Sequence, residues 1–202
     1  MTDWPKDEWG EAGARDFLEA LGVLSLRYDR LQLALIRLIE RYLAAIPEKI
    51  LNQLLFPLNN NQRIEILYQI ASEMETKKEI KELLIHFQKG FSICTENRNI
   101  AMHANGHLGS THFHFTSIRK KFPFDYKIYS ISLKEFRGIC DSILEMTDFA
   151  WRVNRYIALT MSKSTHIRVG ALEAEMPIKP PLPRKLILPK EGKWHPDAPI
   201  FF

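Results

Sequence analysis

The sequence predicts a mainly α-helical bundle that carries a small β-hairpin insert and an extended, proline-rich C-terminal arm. Three observations predict it. Apolar residues recur at three- and four-residue steps through most of the first 160 positions. The step changes to strict alternation only in HFHFTSI (112–118) and YKIYSIS (126–132). Seven prolines then crowd the span from Pro177 to Pro199, which excludes helix there.

With 202 residues, 46% of them hydrophobic, the chain can bury a core of its own. The organisation read from it is an N-terminal extension over 1–10, a helical domain over 11–161, and the arm over 162–202. Residues 11–22 suit a short helix or the first part of a longer one. From Leu24 to Ile46 the stripe is plain: Leu24, Tyr28, Leu31, Leu35, Leu38, Ile39 and Tyr42 share a face, and Pro47 ends or bends the run. Residues 48–56 add a further turn of helix. LNNNQ (58–62) supplies a turn and a helix N-cap, and the helix after it places Ile64, Leu67, Tyr68 and Ala71 on one side. SEMETKKE reads equally as continuation or loop.

A long helix is predicted from about Ile80 to His103, with Leu84, Phe87, Phe91, Cys94 and Ala101 as its apolar stripe. The two alternating runs, joined by RKKFPFD, form a hairpin insert over about 112–132. Ser132 and Glu135 fit the S-x-x-E capping box and open a last helix. Its core face is Leu133, Phe136, Ile139, Ile143, Met146, Ala150, Val153 and Ile157. The arm beyond holds Leu186, Ile187, Leu188, Trp194, Phe201 and Phe202, too many apolar side chains for a solvated tail. It is expected to pack on its own domain or on a partner.

The beginning of the sequence is polar and acidic, without the apolar stretch of a signal peptide, and the most apolar run (31–46) contains Arg37, Glu40 and Arg41. No membrane association is expected. Cys94 and Cys140 read as buried free thiols, which suits a cytoplasmic location. The net charge of +4 tilts the partner mildly towards a polyanion.

Candidate chemistry concentrates in ENRNIAMHANGH (96–107). Asn99 and His103 are four apart and share a helix face, with Glu96 near it. Arg98 falls four after Cys94 and three before Ala101, in line with the apolar stripe. A guanidinium there needs a partner or a wet cleft. A purely structural reading is open at this point: Arg98 paired to a carboxylate, Asn99 in water, and His103 at a helix C-terminus ended by Gly106.

Arg98-Asn99-x-x-x-His103 resembles the R-N-x-x-x-H form of the R-x4-6-H motif of the HEPN domain family. The surrounding order of long helices, a hairpin-like insert and a final amphipathic helix is similar to stand-alone prokaryotic HEPN proteins over roughly residues 11–161. The resemblance does not reach the arm. It implies a metal-independent ribonuclease of toxin–antitoxin, phage-defence or RNA-processing type, with RNA as partner. Arg98, Asn99 and His103 would then be catalytic, in a cleft between two protomers of a homodimer.

The residue types suit that chemistry. A histidine can take the proton of a ribose 2′-OH or protonate the leaving oxygen. An arginine grips phosphate oxygens through parallel donors and stabilises the charge of the transition state. Five residues of ideal helix separate Arg98 from His103 by about 140°, so one copy converges poorly on one phosphate, and a two-fold dimer would supply a second pair.

The resemblance fails at one point. Some HEPN toxins are silenced by nucleotidylation of a tyrosine two residues after the motif histidine, and here that position is Asn105. Glu96 and the basic Arg119, Lys120, Lys121 and Lys127, interleaved with Phe113, Phe115 and Tyr126, are candidate RNA contacts; a solvated hairpin tip is the alternative. His103, His107, His112 and His114 offer metal-like spacings, but Gly106 interrupts the helix between the first two, and no cysteine or carboxylate completes a tetrahedral set. No metal and no cofactor are expected. The competing class is a non-catalytic RNA-, nucleotide- or protein-binding module, whose arm engages an antitoxin or another protein.

Overall fold

The computed structural model describes residues 12–103, 105–108, 112–119, 125–162 and 175–186. The extension over 1–10, Lys120, Lys121 and the arm residues Ile187, Leu188, Trp194, Phe201 and Phe202 lie outside the described residues.

Helix α1 (Ala12–Tyr42) is one unbroken element that absorbs both helical segments expected in this region. It ends four residues before Ile46, and Pro47 serves as N-cap of the short α2 (Glu48–Leu55). Asn59 caps α3 (Asn60–Gln69) through a reciprocal box. Its side chain accepts from the Gln62 amide, and the Gln62 side chain accepts from the Asn59 amide. The charged stretch that follows is neither plain continuation nor plain loop. Ile70–Met74 form a π-helical turn, and α4 (Lys78–His103) begins after a short break. Tyr68, expected on the buried side of α3, is 42% exposed.

After α4 the chain builds a three-stranded antiparallel sheet in the order β1 (Asn105–Leu108), β2 (His112–Arg119), β3 (Asp125–Ser132). The expected hairpin is β2–β3, in register from His112 opposite Ser132 to Arg119 opposite Asp125. Strand β1 was not expected. It has only four residues, one of them glycine, and it is strand-like through its pairing with β2. The Ser132–Glu135 box starts α5 (Leu133–Ser162) as expected, with the Glu135 carboxylate accepting from both the amide and the hydroxyl of Ser132.

The core lies between α1, α4 and α5. Ala20 meets Cys140, and Asn154 meets Arg37 and Arg41, so α1 and α5 run in the same direction. Helix α4 runs against them: His86 stands edge-on to Phe149, and Gly90 faces Met146. Tyr28 and Phe91 join α1 to α4. The sheet docks at one end of the bundle, where Phe113 of β2 stacks on Phe17, which also meets Phe136. The predicted stripes of α4 and α5 are buried, Leu133 only partly. Cys94 and Cys140 are buried free thiols, and burial pushes them up to about 12 and about 11. No helix among the described residues is long and apolar enough to cross a membrane.

Residues 175–186 of the arm are neither helix nor strand and lie on the chain's own domain. Pro177 and Pro183 are buried, and Leu186 packs against the core.

Candidate functional site

The C-terminal turns of α4 carry the motif residues. The core stripe of α4 does not continue through Arg98 but through its neighbour Asn97, three after Cys94 and four before Ala101, which is 1% exposed. Arg98 is half-buried one step around the helix, while Asn99 and His103 are exposed.

The side chains of Arg98 and His103 meet. Arg98 Nη1 lies 2.9 Å from His103 Nε2 and 3.3 Å from Asn99 Oδ1. This corrects the expectation of poor convergence. The 140° between the two positions describes their Cα atoms, whereas the long arginine side chain runs along the helix and closes the gap within one chain. A guanidinium has donors only, so the His103 ring must accept at Nε2, and its proton in this arrangement is on Nδ1.

Arg98 is held from below rather than by a carboxylate. Its guanidinium carbon lies 5.6 Å from the centroid of the Tyr28 ring, a cation–π arrangement, and its buried Nε has no hydrogen-bond partner. Among the described residues it makes no ion pair. The Tyr28 hydroxyl lies 2.8 Å from Thr95 Oγ1 and accepts from Asn60 Nδ2 at 2.9 Å. Since Thr95 spends its own proton on the Phe91 carbonyl, Tyr28 is the donor to Thr95. Burial raises the Tyr28 pKa. The bonds to Thr95 and Asn60 and the nearby Arg98 charge oppose that rise only in part.

Behind Asn60 stands Arg63, 8% exposed. It donates to the Leu55 and Phe56 carbonyls at the end of α2 and to Asn60 Oδ1. Four side chains from α1, α3 and α4 therefore lie in series under the exposed pair: Arg63, Asn60, Tyr28 and Arg98. Sequence reasoning placed Tyr28 in the core stripe, which is correct, but missed its hydroxyl network. It missed Asn60, Arg63 and Thr95 altogether. The one available signal was an arginine inside an otherwise apolar face of α3.

Glu96 is not part of this cluster. It is exposed and pairs with Lys185 of the arm at 2.9 Å. In the backbone register of β2 and β3, position 119 stands opposite 125 and position 127 opposite 117, which places Arg119 and Lys127 on the hairpin. Asn105 and His107 pair with Thr116 and His114 through β1. His112 is half-buried and His114 fully buried. Among the described residues no group of three histidines, cysteines or carboxylates is placed to hold a metal ion. The chain matches no family model, no curated protein and no solved structure.

What the arrangement offers chemically is compact. A fixed positive charge and an imidazole lie within one hydrogen bond of each other at a helix end, both open to solvent on one side. A phosphate oxygen could replace His103 as the acceptor on Arg98, leaving Nε2 beside the bound phosphodiester.

Proposed function

We propose that the chain is a metal-independent endoribonuclease of the HEPN type. The observation that carries this reading is the 2.9 Å approach of Arg98 to His103, with no competing carboxylate on the guanidinium among the described residues. RNA binding would draw the guanidinium to a phosphate oxygen, where charge-assisted donors are strongest. His103 Nε2, released from Arg98, would take the proton of the adjacent 2′-OH. That oxygen attacks phosphorus, the P–O5′ bond breaks, and the products are a 2′,3′-cyclic phosphate and a 5′-hydroxyl. Arg98 would stabilise the charge on the pentavalent phosphorane, and Asn99 would hold the guanidinium or the phosphate.

One imidazole serves as base or as acid in a given step. A second copy of the pair across a two-fold axis would supply the acid that protonates the 5′ oxygen, so the active unit of this reading is a homodimer with the α4 ends facing one groove. A toxin–antitoxin or phage-defence role, a cytoplasmic location and an antitoxin partner belong to the same proposal. So does RNA contact by Arg119, Lys120, Lys121 and Lys127.

The bond between Arg98 and His103 also favours a second reading, a non-catalytic RNA-binding module. In the free protein it occupies the very lone pair that a base would use. One experiment separates the two: incubation of the dimer with total RNA in EDTA. Products ending in 2′,3′-cyclic phosphate, lost in His103→Ala and in Arg98→Ala, support the nuclease. Intact RNA retained on the protein supports the module and refutes the nuclease.

A further inference from the structure

The described part of the arm is bound to the bundle as a peptide ligand is bound to a receptor. It lies between α4 and α5. Lys179 pairs with Glu82, the Pro180 carbonyl accepts from His86 Nε2 at 2.9 Å, Arg184 reaches Glu135, and Lys185 reaches Glu96. At the far end the buried carboxamide of Asn97 reads the arm's backbone twice, donating to the Arg184 carbonyl at 2.8 Å and accepting from the Leu186 amide at 3.0 Å.

The spacing is that of an extended chain. From Glu82 to Asn97, α4 rises about 22 Å, and the seven steps from Lys179 to Leu186 cover the same distance at roughly 3.1–3.3 Å each.

The contacts are those of a docked peptide, not of a core element. Ile178 is 81% exposed, Met176 59% and Leu182 44%, so the arm turns most of its apolar side chains to solvent. Its ion pairs are exposed and individually weak. Open space also remains where the arm meets α5 and β3. A cavity of about 270 Å³ remains between Ser130, Glu135 and Arg184, and one of about 310 Å³ beside Arg155, Tyr156 and Met176. Ser130 Oγ, on the first of these, is buried with no partner among the described residues.

We propose that the α4–α5 groove is a recognition site for a basic, proline-rich, extended segment of a protein partner, and that residues 175–186 are its resident occupant in cis. Charge complementarity argues for that occupant: Glu82, Glu96 and Glu135 meet Lys179, Lys185 and Arg184. A proline-rich segment is already restricted when free and so loses little entropy on binding, and a carboxamide that reads only backbone accepts any side chain at its two positions. This inference stands apart from the nuclease reading.

The test uses the full chain carrying Lys179→Glu, Arg184→Glu and Lys185→Glu, which weakens docking of its own arm. A fluorescein-labelled peptide with the sequence of residues 175–186 is titrated in and followed by anisotropy. It should bind this variant at least about tenfold more tightly than it binds the wild type, where the tethered arm competes at an effective concentration on the order of millimolar. Adding Asn97→Ala should weaken peptide binding about tenfold or more, from the loss of two hydrogen bonds. A Glu82→Lys version of the arm variant should bind the wild-type peptide several-fold more weakly and prefer a peptide carrying Lys179→Glu, which tests the groove even where Asn97→Ala fails to fold. Equal binding by wild type and arm variant, or no rescue by the charge-swapped peptide, would overturn the proposal.

Discussion

Replacing Tyr28 separates what its hydroxyl does from what its ring does. Tyr28→Phe removes the donor to Thr95 and the acceptor for Asn60 but keeps the ring face under Arg98. Thr95 retains its bond to Phe91 and Asn60 Oδ1 its bond from Arg63, while Asn60 Nδ2 loses its acceptor in a half-buried position that water can reach. Two neutral hydrogen bonds at about 0.5–1 kcal/mol each give a loss of about 1–2 kcal/mol. For a chain of this size that is a fall in Tm of roughly 2–8 °C. Tyr28→Leu loses the same bonds and also the cation–π contact, worth about 0.5–2 kcal/mol at a half-buried guanidinium. Urea and thermal melts followed by circular dichroism measure the first quantity. The rate of 2′,3′-cyclic phosphate formation, at a temperature where all variants are folded, measures the second. If the proposed nuclease reading holds, the phenylalanine variant should cleave within about threefold of wild type, and the leucine variant roughly 2- to 30-fold more slowly. A phenylalanine variant as slow as the leucine one would show that the hydroxyl positions Arg98, and the assignment of that role to the ring would be wrong.

Arg63→Ala should cost about 2–4 kcal/mol in urea unfolding, because it strips charge-assisted donors from two carbonyls at the end of α2, and Arg63→Lys should recover less than half. Gly90→Ala places a methyl against the tip of Met146, 2.7 Å from its sulfur, in a fully buried site. Overpacking at about 1–3 kcal/mol should outweigh the helix-propensity gain of about 1 kcal/mol. Combining it with Met146→Ala should cost at least ~1 kcal/mol less than the sum of the single changes in a double-mutant cycle. Burial raises Cys94 to about 12 and Cys140 to about 11, so the folded state holds their protons after the unfolded chain has released them. Stability should therefore be intact below pH 9 and fall as the pH rises towards 12. A Cys94→Ala, Cys140→Ala variant should show a shallower alkaline loss in urea midpoints measured across that range.

How far the fold was legible follows from where the physics is local. The box at Asn59 and Gln62 and the one at Ser132 and Glu135 are short-range devices, and the sequence displays both because each closes within four residues. The apolar stripes of α1, α4 and α5 are likewise visible, since one face of each helix is buried along most of its length. Strand β1 was invisible for the opposite reason. NGHL has no alternation and weak strand propensity, and only the neighbouring β2 gives its backbone a partner. Whether residues 11–22 form a separate helix or the first part of a longer one was open because Gly22 and the polar residues before it dilute the periodicity; burial of Phe17 and Ala20 carries α1 through as one helix. That the arm packs on its own domain or on a partner was legible from its apolar residues, but its place between α4 and α5 was not. An extended proline-rich run leaves no periodic signature, and its anchor is an asparagine that in sequence looks like any solvated polar residue of a helix.

The same ambiguity explains why Arg98 rather than Asn97 was placed in the apolar stripe of α4. Cys94 and Ala101 are seven apart, and the stripe between them can pass through residue 97 or residue 98. Choosing Arg98 made it an anomaly in the core. The structure gives the core position to Asn97 and leaves Arg98 at the edge of the stripe, over Tyr28. That one step, 100° around the helix, changes the meaning of both residues. A fully buried asparagine needs partners for its carboxamide and finds them in the backbone of the arm. A half-buried arginine keeps its tip free to reach His103. A single turn of α4 thus faces three ways: Thr95 towards the Tyr28 hydroxyl, Glu96 and Asn97 towards the arm, and Arg98 towards the solvent-exposed imidazole. A substitution intended to probe one of these surfaces must be read against the other two. For that reason Asn97→Ala is informative only with the integrity of Arg98 and His103 measured alongside, through the imidazole nitrogen shifts of His103. Those shifts should keep the proton on Nδ1 in the variant as in the wild type, because the bond from Arg98 does not pass through the arm.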